Sequence, residues 1–199
     1  MSSTRNGAGR VLVLDGETNY ALACVRSLGR AGYTTFVADK ARWPLAAWSR
    51  YCEASFRLQG ETLASFAELR VWAAARAVTT VLPLTELSAV LCDAERRAWE
   101  AAGITVGCAA GETLRQAFDK ALTLERAAAC GVRFPLTRVP TSLADGRAAA
   151  REVGFPCVIK PRFTHAWDGA RSLPGRSPSY VSHSDAVEPA LVAARQVEH

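Results

Sequence analysis

Two lysines carry the most specific chemistry this sequence offers. Lys120 opens the run DKALTLERAAACGVRFPLTRV, and Lys160 closes VGFPCVIK forty residues later. An ammonium at the end of an apolar run, here Phe155 to Ile159, loses hydration unless an anion takes the place of water, so a negative ligand is expected beside Lys160. Pro161 fixes the backbone immediately after it. The polar segment beyond contains Gly169 and Gly175, and a residue without a side chain lets backbone amides come close to an anion. Two lysines at the ends of a helix and a strand, with a glycine-bearing loop after them, suit the grip of a polyphosphate. Only three of the 24 basic residues are lysines, Lys40, Lys120 and Lys160. A compact ammonium and a flat guanidinium are not interchangeable, which marks each lysine of so arginine-rich a chain for attention. Arg162, His165 and Asp168 lie in the same loop and read as solvated residues.

Gly16 offers a second anion site, because it opens a helix directly after a strand. The dinucleotide fingerprint G-x-G-x-x-G is not met there, since the chain reads GETNYA and supplies only the first glycine. Asp39 closes the second strand, where a ribose-binding acid would stand in a nicotinamide-dependent oxidoreductase. A purely structural Rossmann-like unit is the plainer reading of both residues.

These residues need elements to position them. From residue 10 to 110, strand-like and helix-like stretches alternate: RVLVLD, then GETNYALACVRSLGRAGY as a helix, TTFVAD, a loop with a short turn in ARWPLAAWSRYC, and EASFRL as a peripheral strand. A helix in TLASFAELRVWAAARAV capped by Thr62, a strand in TTVLPL, a helix over ELSAVLCDAERRAWEAAG and a short strand ITVG follow. Strands separated by such helices favour a parallel, doubly wound sheet of the α/β class. After about residue 110 the order changes. Two helices come in succession, GETLRQAF and DKALTLERAAACG, then a short strand PLTRVP, a helix SLADGRAAAREVG, the strand FPCVIK, an irregular loop, a strand SYVS and a closing helix that becomes regular near Glu188. The expected domains are residues 1–112, Rossmann-like, and 113–199, a smaller α+β unit.

Composition narrows the function. The chain has 199 residues, 49% of them hydrophobic, enough to fill real cores. No stretch approaches the roughly 20 apolar residues that span a bilayer, and MSSTRNGAGR has no apolar signal core, so no membrane partner and a cytoplasmic location are expected. The net charge of +5 is spread over singly placed arginines without a basic run, which argues against nucleic acid. The six cysteines stand far apart with no C-x-x-C pair, which points to buried free thiols rather than zinc or a disulfide framework.

The order of the motifs carries a resemblance. D-K-x-x-T-x-x-x-A-x-x-x-G-V-x-x-P-x-T, from Asp119 to Thr137, followed by G-F-P-x-V-x-K-P, resembles the start of an ATP-grasp domain, as in carbamoyl-phosphate synthetase, biotin carboxylase and D-alanine ligases. VLVLDGETNYALACVRSLGRAGY, RWPLAAWSRYC and VLPLTELS are similar to the Rossmann-like pre-ATP-grasp domain of carbamoyl-phosphate synthetase-like carboligases. The resemblance implies an ATP-dependent carboxylate-amine ligase that activates a small-molecule carboxylate as an acyl phosphate. It further implies that Lys160 lies against the α- and β-phosphates of ATP, that Lys120 approaches from the other side, and that residues 163–176, with Gly169 and Gly175, form the phosphate loop. In the family the second half of the fold supplies the adenine-contacting hinge and the acidic and asparagine ligands of Mg2+. None of these lies within the 199 residues, so the expectation is an incomplete ATP-grasp subdomain, a piece of a longer ligase and inactive alone. Two other readings remain open at this point: a non-catalytic nucleotide-binding or interaction module, and the nicotinamide-dependent oxidoreductase. The carboxylate, the nucleophile and the oligomeric state are not legible.

Overall fold

The computed structural model describes residues 9–163, 166–167, 172–173 and 177–195. The chain divides into two compact units, Met1–Gly111 and Glu112–His199.

The first unit is built on a parallel five-stranded sheet. Its strands are β1 (Arg10–Val13), β2 (Thr34–Asp39), β3 (Cys52–Arg57), β4 (Thr80–Leu82) and β5 (Thr105–Val106), in the spatial order β3-β2-β1-β4-β5. Alternation along the central strands explains why both faces are covered. Leu12, Leu14, Phe36 and Ala38 point to one side, where Phe66 and Leu69 of α2 (Leu63–Ala74), Leu91 of α3 (Glu86–Ala94) and Trp99 of α4 (Arg96–Ala101) close the main core. Val11, Val13 and Val37 point to the other, against Ala21 and Val25 of α1 (Asn19–Arg30) and Ala46 of a short 3-10 turn at Leu45–Trp48. β3, at the edge, alternates half-buried and exposed residues, as its sequence predicts.

Local chemistry sets the helix limits. Thr18 caps α1 by accepting the Ala21 amide at 3.2 Å, and Thr85 and Ser88 cap α3 reciprocally. The single helix expected over ELSAVLCDAERRAWEAAG is broken in two at Glu95, which leaves helical geometry at φ −109° and ψ 18°. Side chains at the break are tied in different directions. The Glu95 carboxylate pairs with Arg70 of α2, while the Arg96 guanidinium forks between Asp93 (2.7 Å) and the carbonyls of Cys108 (3.0 Å) and Ala109 (2.9 Å).

The second unit is smaller. It contains α5 (Gly111–Phe118), which starts at the boundary, α6 (Lys120–Ala129), α7 (Leu143–Val153) and α8 (Val187–Arg195), with β6 (Cys157–Ile159) antiparallel to β9 (Ser179–Val181). A second antiparallel pair joins β7 (Ala166–Trp167) to β8 (Ser172–Leu173). Its core is Ala150, Cys157, Val181, Val187, Ala190 and Leu191. α7 and α8 approach closely because residue 146 is glycine; a Cβ there would lie 2.5 Å from the Leu191 side chain. The strand expected in PLTRVP does not form. Residues 132–140 run without regular structure and are exposed, and Arg138 is drawn instead to Glu152 on α7. A strand needs a neighbour to take its backbone hydrogen bonds, and none of the described strands pairs with this segment.

Candidate functional site

The start of α6 and the segment after β6 are stitched together by one buried carboxylate. Asp119, 4% exposed, caps α6 by accepting the amides of Ala121 (2.9 Å) and Leu122 (3.3 Å) at Oδ1. The same carboxylate takes the Arg162 fork, with Nε at 2.8 and 3.0 Å from its two oxygens and Nη2 at 2.7 Å from Oδ2. Arg162 hydrogen bonding, aided by the cap amides, holds the Asp119 carboxyl below its ordinary pKa, so it stays ionised. The link is then doubled by backbone. Both the amide and the ammonium of Lys120 donate to the Arg162 carbonyl, each at 3.3 Å.

Lys160 stands two residues before Arg162, so the expected lysines lie at one end of one unit, their α-carbons bounded at roughly 15 Å by the intervening chain. Lys160 is exposed, and among the described residues its ammonium has no hydrogen-bond or ion-pair partner. This corrects the premise of a buried strand. Of β6 only Cys157 is buried, Val158 is 44% exposed, and the lysine keeps its water. Arg162 is corrected as well: it is not merely a solvated loop residue but the tie between the two lysine-bearing segments. Asp119 and Arg162 stand 43 residues apart in sequence and no local pattern pairs them; the one signal was that each neighbours a candidate lysine motif. Gly169 and Gly175 lie outside the described residues, as do His165 and Asp168.

In the first unit Gly16 is a packing residue. A Cβ there would stand 2.4 Å from Val37 and 3.1 Å from Pro44, its amide donates to Ala38 (3.3 Å), and its carbonyl accepts from Ala46 (2.8 Å). The protein's own carboxylates take up backbone amides near Gly16. Asp39 accepts from Glu17 (3.0 Å) and Ala41 (2.7 Å), and Glu17 accepts from Leu45 (3.1 Å). The adjoining cavity, lined in part by Asp15, Asp39, Lys40, Glu61 and Ser88, holds about 30 Å³, room for roughly one water. Asp15 is similarly committed to the start of α3, accepting from the amides of Leu84 (2.9 Å) and Thr85 (2.8 Å) and from the Ser88 hydroxyl (2.7 Å). These contacts commit Asp39 and Asp15 to the protein's own backbone.

Among the described residues no group of three His, Cys, Asp or Glu side chains could hold a metal ion. Asp119, the carboxylate beside the lysines, is spent on Arg162 and the cap. The six cysteines are free thiols, but fewer are buried than expected: only Cys92 and Cys157, while Cys130 is exposed. Desolvation pushes Cys92 and Cys108 up and Cys52 to about 11, so none of these is a ready nucleophile at neutral pH. No described helix is long and apolar enough to cross a membrane.

Solved structures place the fold. N5-carboxyaminoimidazole synthetase from Staphylococcus aureus aligns with a TM-score of 0.66 at 11% identity, over 96% of this chain and 45% of that one. N5-carboxyaminoimidazole ribonucleotide synthetase from Thermotoga maritima aligns at 0.60 and 14% identity, over 92% and 43%. Biotin carboxylase from Campylobacter jejuni, in its beta-gamma-ATP complex, aligns at 0.65 and 16%, over 94% and 41%. The fold is that of the N-terminal portion of ATP-grasp enzymes. No family model and no curated protein matches the sequence. Identities this low establish the ATP-grasp architecture and not a substrate, and the chain spans less than half the length of these three enzymes.

Proposed function

We propose that the chain is the N-terminal part of an ATP-dependent ligase of the carboxylate-amine type, with Lys120 and Lys160 holding the phosphates of ATP. The observation that carries this reading is the pair of hydrogen bonds that Lys120 donates to the Arg162 carbonyl, braced by the Asp119–Arg162 fork. It ties the D-K start of α6 to K-P-R after β6, so two point charges from distant sequence serve one ligand. In such a ligase the terminal phosphoryl group of ATP passes to a substrate carboxylate, and an amine then displaces phosphate from the acyl phosphate. Lysines there neutralise charge on the phosphates and orient them, at little reorganisation cost. Mg2+ would share that work, and its ligands are not found among the described residues. The similar enzymes, whose names specify carboxylation chemistry, favour a small carboxylate as substrate class.

A second reading, a nucleotide-binding module without catalysis, shares the same site. Both readings require an ATP site; they differ in turnover. Titration of the chain with a fluorescent ATP analogue should show weak saturable binding that falls at least about tenfold in Lys160→Ala and in Lys120→Ala. Equal affinity in both variants and the parent would remove the phosphate role from these lysines.

A further inference from the structure

The first unit carries a cationic, aromatic-walled cavity on the side of the sheet covered by α1. Arg26 and Arg30 stand one helical turn apart on α1 and so share a face. Together with Trp48, Ser49, Arg50 and Tyr51 they line a cavity of about 450 Å³. No carboxylate lines it. Among the described residues Arg26 and Arg30 form no ion pair. The helix dipole accounts for an arginine in the last turn, Arg30, but not for Arg26 one turn earlier or for Arg50, which is not on the helix.

The aromatic part is built rather than incidental. Tyr51 lies directly on the α1 backbone, where a Cβ at Gly29 would come within 2.3 Å of its ring. Arg50 is held over that ring at 4.8 Å from its centroid and donates to the Tyr51 hydroxyl at 2.8 Å. Trp48 is 75% exposed and lies 6.3 Å, ring to ring, from Trp43, itself 65% exposed. Three guanidinium groups gathered without a counter-charge raise the local positive potential. Their planar forks match phosphate oxygens, and the indole face of Trp48 offers a stacking surface.

We propose that this cavity binds a small phosphate ester of a flat aromatic ring, the phosphate held by Arg26 and Arg30 and the ring laid on Trp48. The volume falls within the range of small-molecule sites. Calorimetric titration of the chain with 1-naphthyl phosphate, 1-naphthol and inorganic phosphate separates the two contributions, because each fragment carries one of them. Binding is expected to be tightest for 1-naphthyl phosphate, to weaken as salt is raised, and to fall about tenfold or more in R26Q/R30Q and in Trp48→Ala. Lys160→Ala should leave it unchanged, which separates this cavity from the lysines of the second unit. Circular dichroism of the surface variants should match the parent. The proposal is overturned if 1-naphthyl phosphate does not bind, if R26Q/R30Q binds it equally well, or if an oligoglutamate peptide binds in an Arg26- and Arg30-dependent way where the ester does not; that last result would make the face a docking surface for an acidic protein segment.

Discussion

At the scale of single residues, Asp119 does the most. Its carboxylate satisfies two amides of α6 and a guanidinium at once. Asp119→Asn keeps the shape but removes the charge, and should cost about 1–3 kcal/mol of stability in the second unit by chemical denaturation, together with a loss of ATP affinity. A pH signature goes with it. Because the native pKa is lowered, the unfolded chain takes up the proton first, so the contribution is complete above the ordinary carboxyl value near about pH 4 and is lost as pH falls through the native value. Acid denaturation curves of wild type and Asp119→Asn should therefore converge below about pH 4; parallel curves would count against the pair. Gly16 teaches a different lesson at the same scale. Its position after a strand was legible in sequence, but its reason, the side chains of Val37 and Pro44, was not.

At the scale of elements, the Thr62 cap was readable and accepts the Ser65 amide as expected, whereas Thr18 and Thr85 are caps that the structure added. Asp15 was not readable as a cap, because it reaches α3 from the end of β1, 69 or more residues away. It also sits at φ 59°, a region asparagine tolerates and most residues do not. Asp15→Ala should cost about 2–4 kcal/mol in thermal or denaturant unfolding, and Asp15→Asn clearly less. The exposed run 132–140 follows from the same logic in reverse. Its apolar alternation reads as a strand, yet with no partner it stays irregular, and brief trypsin digestion should cut first at Arg133 or Arg138. Protection of both bonds would contradict the exposure described here.

At the scale of the whole molecule, the two units have unequal cores. Among the described residues the first unit has a sixteen-residue buried cluster on one sheet face and a six-residue one on the other, whereas the buried cluster of the second unit has six residues, two of them alanines. Small cores confer little stability. Hydrogen exchange should therefore be slowest at β1 and β2 and markedly faster in α7 and α8, and saturating ATP should slow the latter selectively by mass action. Uniform exchange across both units would refute this. Sequence alone determined the alternation of strands and helices in the first unit and the lysine-bearing motifs, because periodicity, caps and stop signals act over a few residues and are written where they act. Only the tertiary structure decided that Arg162 joins Asp119, that Asp39 accepts the Glu17 and Ala41 amides, and that PLTRVP finds no partner among the described strands. Those outcomes depend on which distant groups meet, and pairing across space leaves no mark on the local order of residues.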